Sequence, residues 1–239
     1  MLRCSLLVAT GPASPRSYGS LTLLVQTFAL IVATLALAAA PSASAAAADR
    51  PVRIVALGDS LTAGLGLAAN EAFPAKLERA LKAKGIAVEI SNAGVSGDTA
   101  TGGLGRLDWS VPEGTDAVIV ELGANDMLRG FDPDITRRAL AEIVRRLTER
   151  RIAVLLAGMR AAPNLGPDYG RKFDAIYPEL AARNHVLLYP FFLDGIAADP
   201  KLNQGDGLHP TAAGVDAIVK GILPKAEELV ARVRSGRGD

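Results

Sequence analysis

Apolar and polar positions fall into two alternating rhythms between positions 50 and 236. Short β-branched runs, 52–57 (VRIVAL), 86–91, 116–122 (DAVIVEL), 152–156 and 186–189, predict five buried strands. Longer segments between them carry apolar residues at helical spacing. Over 71–84, Phe73, Leu77 and Leu81 form one stripe, with Lys76, Glu78, Lys82 and Lys84 off it and Gly85 as the stop. Over 134–150, Ile135, Ala139, Ile143 and Leu147 recur among arginines and glutamates. A short glycine-bearing helix is expected over 99–107, another over 171–183 after a Pro- and Gly-rich stretch at 161–170, and a closing helix over 211–234. Pro224 should kink or interrupt that last helix. Strands alternating with helices make βαβ units, hence a mainly parallel five-stranded sheet covered by helices on both faces.

The N-terminus follows a different pattern. Arg3 and Arg16 are the only charges before Asp49, residues 21–40 are almost wholly apolar, and Ala43-Ser44-Ala45 precedes an alanine run. Basic, apolar and small-residue regions in that order predict a secretory signal peptide over 1–45, with a single compact domain over 46–239. The apolar run is also long enough to span a bilayer, so an uncleaved membrane anchor is the alternative. Cleavage after Ala45 leaves 194 of the 239 residues and removes two of 26 basic and none of 25 acidic ones, for a net charge of −1. The lone cysteine, Cys4, goes with the leader. The expected location is the periplasm or the exterior.

Composition narrows the chemistry. A net charge of +1 gives no electrostatic footprint for nucleic acid. One cysteine and two histidines, His185 and His209, are too few for an imidazole- or thiolate-based metal site. No cofactor and no obligate protein partner are implied.

Four loop segments carry the unusual residues: Gly58-Asp59-Ser60-Leu61 after the first strand, Asn92 to Thr99 after the second, Gly123-Ala124-Asn125-Asp126 after the third, and Asp206-Gly207-Leu208-His209-Pro210 before the last helix. In a parallel sheet, ligands bind beyond the carboxyl ends of the strands, where three of these segments fall. Ser60 reads as a turn or cap serine or, with a base beside it, as a nucleophile; Gly58 is expected to free the backbone of that turn. His209 is the candidate base, since His185 sits at a strand start and reads as packing or surface. Asp206, three residues before His209, can accept from its ring and fix the tautomer. The Ser60 and Gly97 N–H groups and the Asn125 amide are candidate oxyanion donors. Asp59, Asp98 and Asp126 read as loop-fixing carboxylates. Leu65, Leu67, Phe73 and Leu165 are candidates either for an acyl groove or for ordinary loop packing.

Together these blocks resemble the SGNH hydrolase superfamily of GDSL esterases and lipases, whose serine, glycine, asparagine and histidine match Ser60, Gly97, Asn125 and His209, with the triad aspartate at Asp206. The segments Ala93 to Thr99, Tyr169-Gly170-Arg171 and Tyr189-Pro190-Phe191-Phe192 resemble the bacterial periplasmic thioesterase, lysophospholipase and arylesterase subgroup. The resemblance implies a three-layer, flavodoxin-like α/β/α sandwich. It implies cleavage of small-molecule esters or thioesters, lysophospholipids among them, through an acyl-enzyme on Ser60. The chain contains no G-x-S-x-G elbow. Three rivals stand beside this reading. Gly64 to Ala69 fits G-x-G-x-x-A but does not follow its strand directly, which weakens a nucleotide-binding module. A non-catalytic exported binding protein and a carbohydrate acetylesterase of the same superfamily are the others.

Overall fold

The structure is a computed structural model and describes residues 50–236. The expected signal peptide and its anchor alternative lie outside the described residues. No described helix is long and apolar enough to cross a membrane.

Five parallel strands form one sheet: β1 (Val52–Gly58), β2 (Val88–Gly94), β3 (Ala117–Glu121), β4 (Ala153–Ala157) and β5 (Leu187–Tyr189), in the order β2-β1-β3-β4-β5. β1 is flanked by β2 and β3, with Gly58 paired to Gly94 on one side and to Glu121 on the other. The chain winds outward from β1 to one edge, then returns past it to build the other side. The loops after β1 and β3 therefore diverge, and the crevice between them is the expected ligand position in a doubly wound sheet. β1 and β3 are nearly all buried apolar positions, as strands covered on both faces require.

Helices complete three layers. α1 (Ser60–Ala63) is a single turn; α2 (Phe73–Ala83) follows a 3₁₀ turn at Ala69–Glu71. α3 (Ala100–Gly105) and α4 (Leu107–Ser110) follow β2, and α5 (Ala124–Leu128) and α6 (Pro133–Glu149) follow β3. α7 (Pro167–Asp174) and α8 (Ile176–Asn184) precede β5, and α9 (Ala212–Gly236) closes the chain. α2 and α9 pack on each other and on the sheet, whereas α6 packs against α3, α7 and α8. Phe73, Leu77 and Leu81 are fully buried, with Phe73 edge-on to Phe192 at 4.9 Å.

Several expectations shift, each for a local reason. β2 starts at Val88 because Gly85, at φ +77, lets the N–H of Ile86 return to the Leu81 carbonyl and close the preceding helix. Lys76 is off the apolar stripe yet buried, its ammonium held by Glu71, Asp216 and the Ala212 carbonyl. On α6, Ile135 is exposed and Thr136 is buried in its place, because the Thr136 hydroxyl has a partner in Asp126. The helix expected at 171–183 is two helices, the first starting at Pro167, where proline suits a first turn. α9 runs unbroken through Pro224, carried by a buried stripe from Val215 to Val233 on both sides of it.

Candidate active site

The β1 turn places Ser60. Asp59 is the N-cap of α1, its Oδ1 accepting from the Leu61 N–H at 2.9 Å, so Ser60 is the first residue of the helical turn and not its cap. Its own N–H donates to no group among the described residues. Gly58 has ordinary extended backbone, contrary to the turn freedom expected of it. A Cβ there would lie 2.1 Å from Thr62 Oγ1 and 2.6 Å from Glu121 Oε2, so close approach is what excludes a side chain.

The second half of the site comes from the loop before α9. His209 Nε2 lies 2.8 Å from Ser60 Oγ, and its Nδ1 lies 2.6 Å from Asp206 Oδ2. Asp206 Oδ1 accepts from the N–H groups of Leu208 and His209, at 2.9 and 3.0 Å. Those backbone donors, with the ring of His209, hold the Asp206 carboxyl well below the usual range, so it is an anion throughout the neutral region. An anion on Nδ1 leaves Nε2 as the acceptor facing the serine hydroxyl. Residues 60, 206 and 209 thus form one hydrogen-bonded chain. His185 stands apart from it, exposed at φ 53 at the end of α8.

The loop after β2 carries Gly97 at φ +83, a left-handed conformation that favours glycine. The Gly97 N–H has no acceptor among the described residues. Arg106 sets this loop: it donates to Asp98 Oδ2 at 2.7 Å, to the Ala93 carbonyl at 2.8 Å and to the Gly58 carbonyl at 2.9 Å. One guanidinium therefore joins the ends of β1 and β2. Asn125, on the first turn of α5, donates both amide hydrogens, one to Asp59 Oδ2 at 3.0 Å and one to the Asp98 carbonyl at 2.9 Å. Asp126 is fully buried and accepts from the Ala100 N–H and the Thr136 hydroxyl. Asp59, Asp98 and Asp126 all bond nearby loops, in line with the reading of them as loop-fixing residues.

Asp59 and its neighbour Glu121 are both fully buried. Burial pushes Asp59 up to about 6, against the downward pull of the Leu61 N–H and the Asn125 amide. Burial, then the nearby Asp59, pushes Glu121 well above the usual carboxyl range.

A cavity of about 240 Å³ opens on Ser60 and His209, with Asp59 and Asn125 in its wall. Its apolar lining is Leu61, Met127, Leu128, Met159, Leu193 and Leu208, with Phe191 under the Arg160 guanidinium at 5.0 Å. None of Leu65, Leu67, Phe73 and Leu165 lines it; Phe73 is in the core. Apart from Leu61 beside Ser60 and Leu208 beside His209, the apolar residues that do line it follow Asn125, β4 and β5, where only their position beyond a strand end marked them. The sequence reading also passed over Arg106, Glu121, Asn203 and Gln204. Asn203 is buried and bonds the Ile196 and Asp199 carbonyls; Gln204 bonds the Leu65 and Pro210 carbonyls and, through its N–H, that of His209. Polar residues just before a glycine-rich turn were the available signal.

Residues 56–217 match the model of the GDSL-like Lipase/Acylhydrolase family. The "Thioesterase 1/protease 1/lysophospholipase L1" of Escherichia coli (strain K12) is 37% identical over 186 residues, covering 77% of this chain and 86% of that protein. An "Arylesterase" of Vibrio mimicus is 37% identical over 186 residues, covering 77% and 92%. The crystal structure of AlinE4, described as an SGNH-hydrolase family esterase, superposes with a TM-score of 0.64 at 47% identity, covering 75% of this chain and 96% of that one. The protein is accordingly a hydrolase of carboxylic esters. Within that class, the chain belongs to the GDSL-like lipase/acylhydrolase family.

Proposed function

We propose that the protein cleaves small-molecule carboxylic esters and thioesters, lysophospholipids among them, through an acyl-enzyme on Ser60. The 2.8 Å contact between His209 Nε2 and Ser60 Oγ carries this reading. His209 takes the serine proton as Oγ attacks the acyl carbon. The Asp206 anion stabilises the imidazolium and keeps the ring in register. The oxyanion rests on the Ser60 and Gly97 N–H groups and on the Asn125 amide, which exchanges the Asp98 carbonyl for the developing charge. That exchange is favourable only where negative charge is larger on the reacting oxygen than on a peptide carbonyl, which is the transition state rather than the bound ester. The imidazolium then protonates the leaving alcohol or thiol. Water repeats the sequence and releases the acid.

The mainly apolar lining of the cavity supports an acyl chain as the part it holds, and the names of the similar proteins support ester and thioester leaving groups. Export, with the first 45 residues as a leader, is supported by the basic, apolar and small-residue order of that segment. The test is a substrate panel of an aryl ester, a long-chain acyl thioester, a lysophospholipid and acetylated xylan, with Ser60→Ala as the blank. Turnover of the first three above the blank is expected. Turnover confined to acetylated xylan would replace this reading with the carbohydrate esterase.

A further inference from the structure

We propose that Glu121, at the end of β3, is a positioning residue for the hydrolysis: its carboxyl sits as a neutral acid beneath the β1 turn and, through Asp59, keeps the Asn125 amide aimed at the oxyanion side of Ser60. The inference rests on the assignment of Ser60 and Asn125 above.

Glu121 has no solvent exposure, and its polar surroundings are sparse. Oε2 accepts the Thr62 hydroxyl at 2.7 Å and the Asp59 N–H at 3.4 Å. Oε1 is buried with no hydrogen-bond partner, and no cation forms an ion pair with the carboxyl among the described residues. The other titratable groups around it are Asp59, on the turn above, and Tyr177, from α8, whose hydroxyl donates to the Leu122 carbonyl. Nothing here repays the burial of a charge. Two carboxyls so placed divide their roles: one keeps the proton, the other the charge.

The donors decide which. Asp59 receives the Leu61 N–H at 2.9 Å and the Asn125 amide at 3.0 Å, whereas Glu121 receives the Thr62 hydroxyl, a long contact from the Asp59 N–H and a weaker approach of the Thr62 N–H, all leaving Oε1 without a partner. The charge therefore belongs on Asp59 and the proton on Glu121, in agreement with the stronger upward push on Glu121. An anionic Asp59 does two things for the site. It caps the helical turn that begins with Ser60, and it turns the NH₂ of Asn125, not its carbonyl, toward Asp59 and Asp98. A second charge at Glu121 would drive a proton onto Asp59 and release both. A neutral acid supplies the oxygen that Thr62 and the Asp59 N–H need in a space tight enough to bar a Cβ at Gly58.

The experiment compares Glu121→Gln, which keeps size and neutrality, with Glu121→Ala, on protein shown to be folded by circular dichroism. The Gln variant is expected to keep kcat within about 3-fold. The Ala variant is expected to lose kcat about 10- to 100-fold with KM changed less than about 3-fold, the signature of lost alignment rather than lost binding. If the Ala protein does not fold, Glu121→Asp, which draws the carboxyl back by one methylene, is read the same way. Infrared spectroscopy of the wild type above neutral pH should show a protonated-carboxyl stretch that Glu121→Gln lacks. A folded Gln variant as impaired as Ala, an Ala or Asp variant at wild-type kcat, or no such stretch overturns the proposal. Turnover surviving in Ser60→Ala would instead sink the nucleophile assignment and leave the infrared result standing.

Discussion

The two halves of the site are held in opposite ways. On the β1–β3 side, Asp59 and Glu121 are fully buried, Ser60 is 7% exposed, and the loops are tied through Arg106 and Asn125 to three strand ends. On the other side, the Asp206 side chain is 45% exposed and His209 is 19% exposed. That loop is fastened by Asn203 and Gln204 rather than by core packing. Ser60 thus stands on ground that moves only if the sheet moves, while His209 rides a loop fixed by a handful of polar contacts. Damage to the first half should cost chemistry and folding together. Damage to the second should cost chemistry first, because few buried contacts depend on it.

The sharpest way to break this contrast is Asp206→Ala. It removes the partner that fixes the His209 tautomer and should lower kcat by about 10³–10⁴. Because the carboxylate is half exposed, the melting temperature should fall by only a few degrees, from the lost contacts to the Leu208 and His209 N–H groups; a larger drop would show that the exposed half is not independent. Next in size is Asn125→Ala, expected to lower kcat by about 10²–10³ with little change in KM. A loss confined to KM would remove Asn125 from the oxyanion role.

A third effect is expected in pH dependence. Asp59 is raised to about 6, so it takes up a proton as pH falls through that value and loosens its hold on Asn125. The wild type should therefore lose kcat as pH falls through about 6, and Asp59→Asn, at a rate roughly 10-fold lower, should lack that component of the acid limb. An acid limb of the same shape in both proteins would detach Asp59 from catalysis. The smallest effect belongs to Gln204→Ala, which frees the Leu65 and Pro210 carbonyls. A loss of roughly 1 kcal/mol, about 2–4 °C in melting temperature, is expected with a few-fold loss of kcat. Unchanged kcat would mean that the His209 loop is fixed by its backbone alone.

What could be read from the chain divides along the same line. Strand runs such as 52–57 and 116–122 and the stripe Phe73-Leu77-Leu81 announce a buried parallel sheet and its helices because burial leaves a periodic trace. The blocks around Ser60, Gly97, Asn125 and His209 were legible because each sits beside glycine or before a helix, three of them beyond a strand end. The supports were not legible. Arg106 and Glu121 lie inside ordinary amphipathic or strand patterns, and only folding brings Glu121 under Gly58. Gly58 itself was assigned the wrong reason, since a sequence cannot distinguish a glycine needed for its backbone angle from one needed for close approach. The cavity lining was missed because Met159, Phe191 and Leu193 are brought together only by β4 and β5, far from Ser60 in the chain.

The central claim is that Ser60 forms the covalent acyl intermediate. Its most direct test is labelling of the folded protein with an active-site phosphonate ester, followed by peptide mass spectrometry and turnover. The account predicts one adduct, on Ser60, with ester hydrolysis lost in step with labelling and absent from Ser60→Ala. An adduct on another residue, or a folded Ser60→Ala protein that turns over esters at near the wild-type rate, would contradict it.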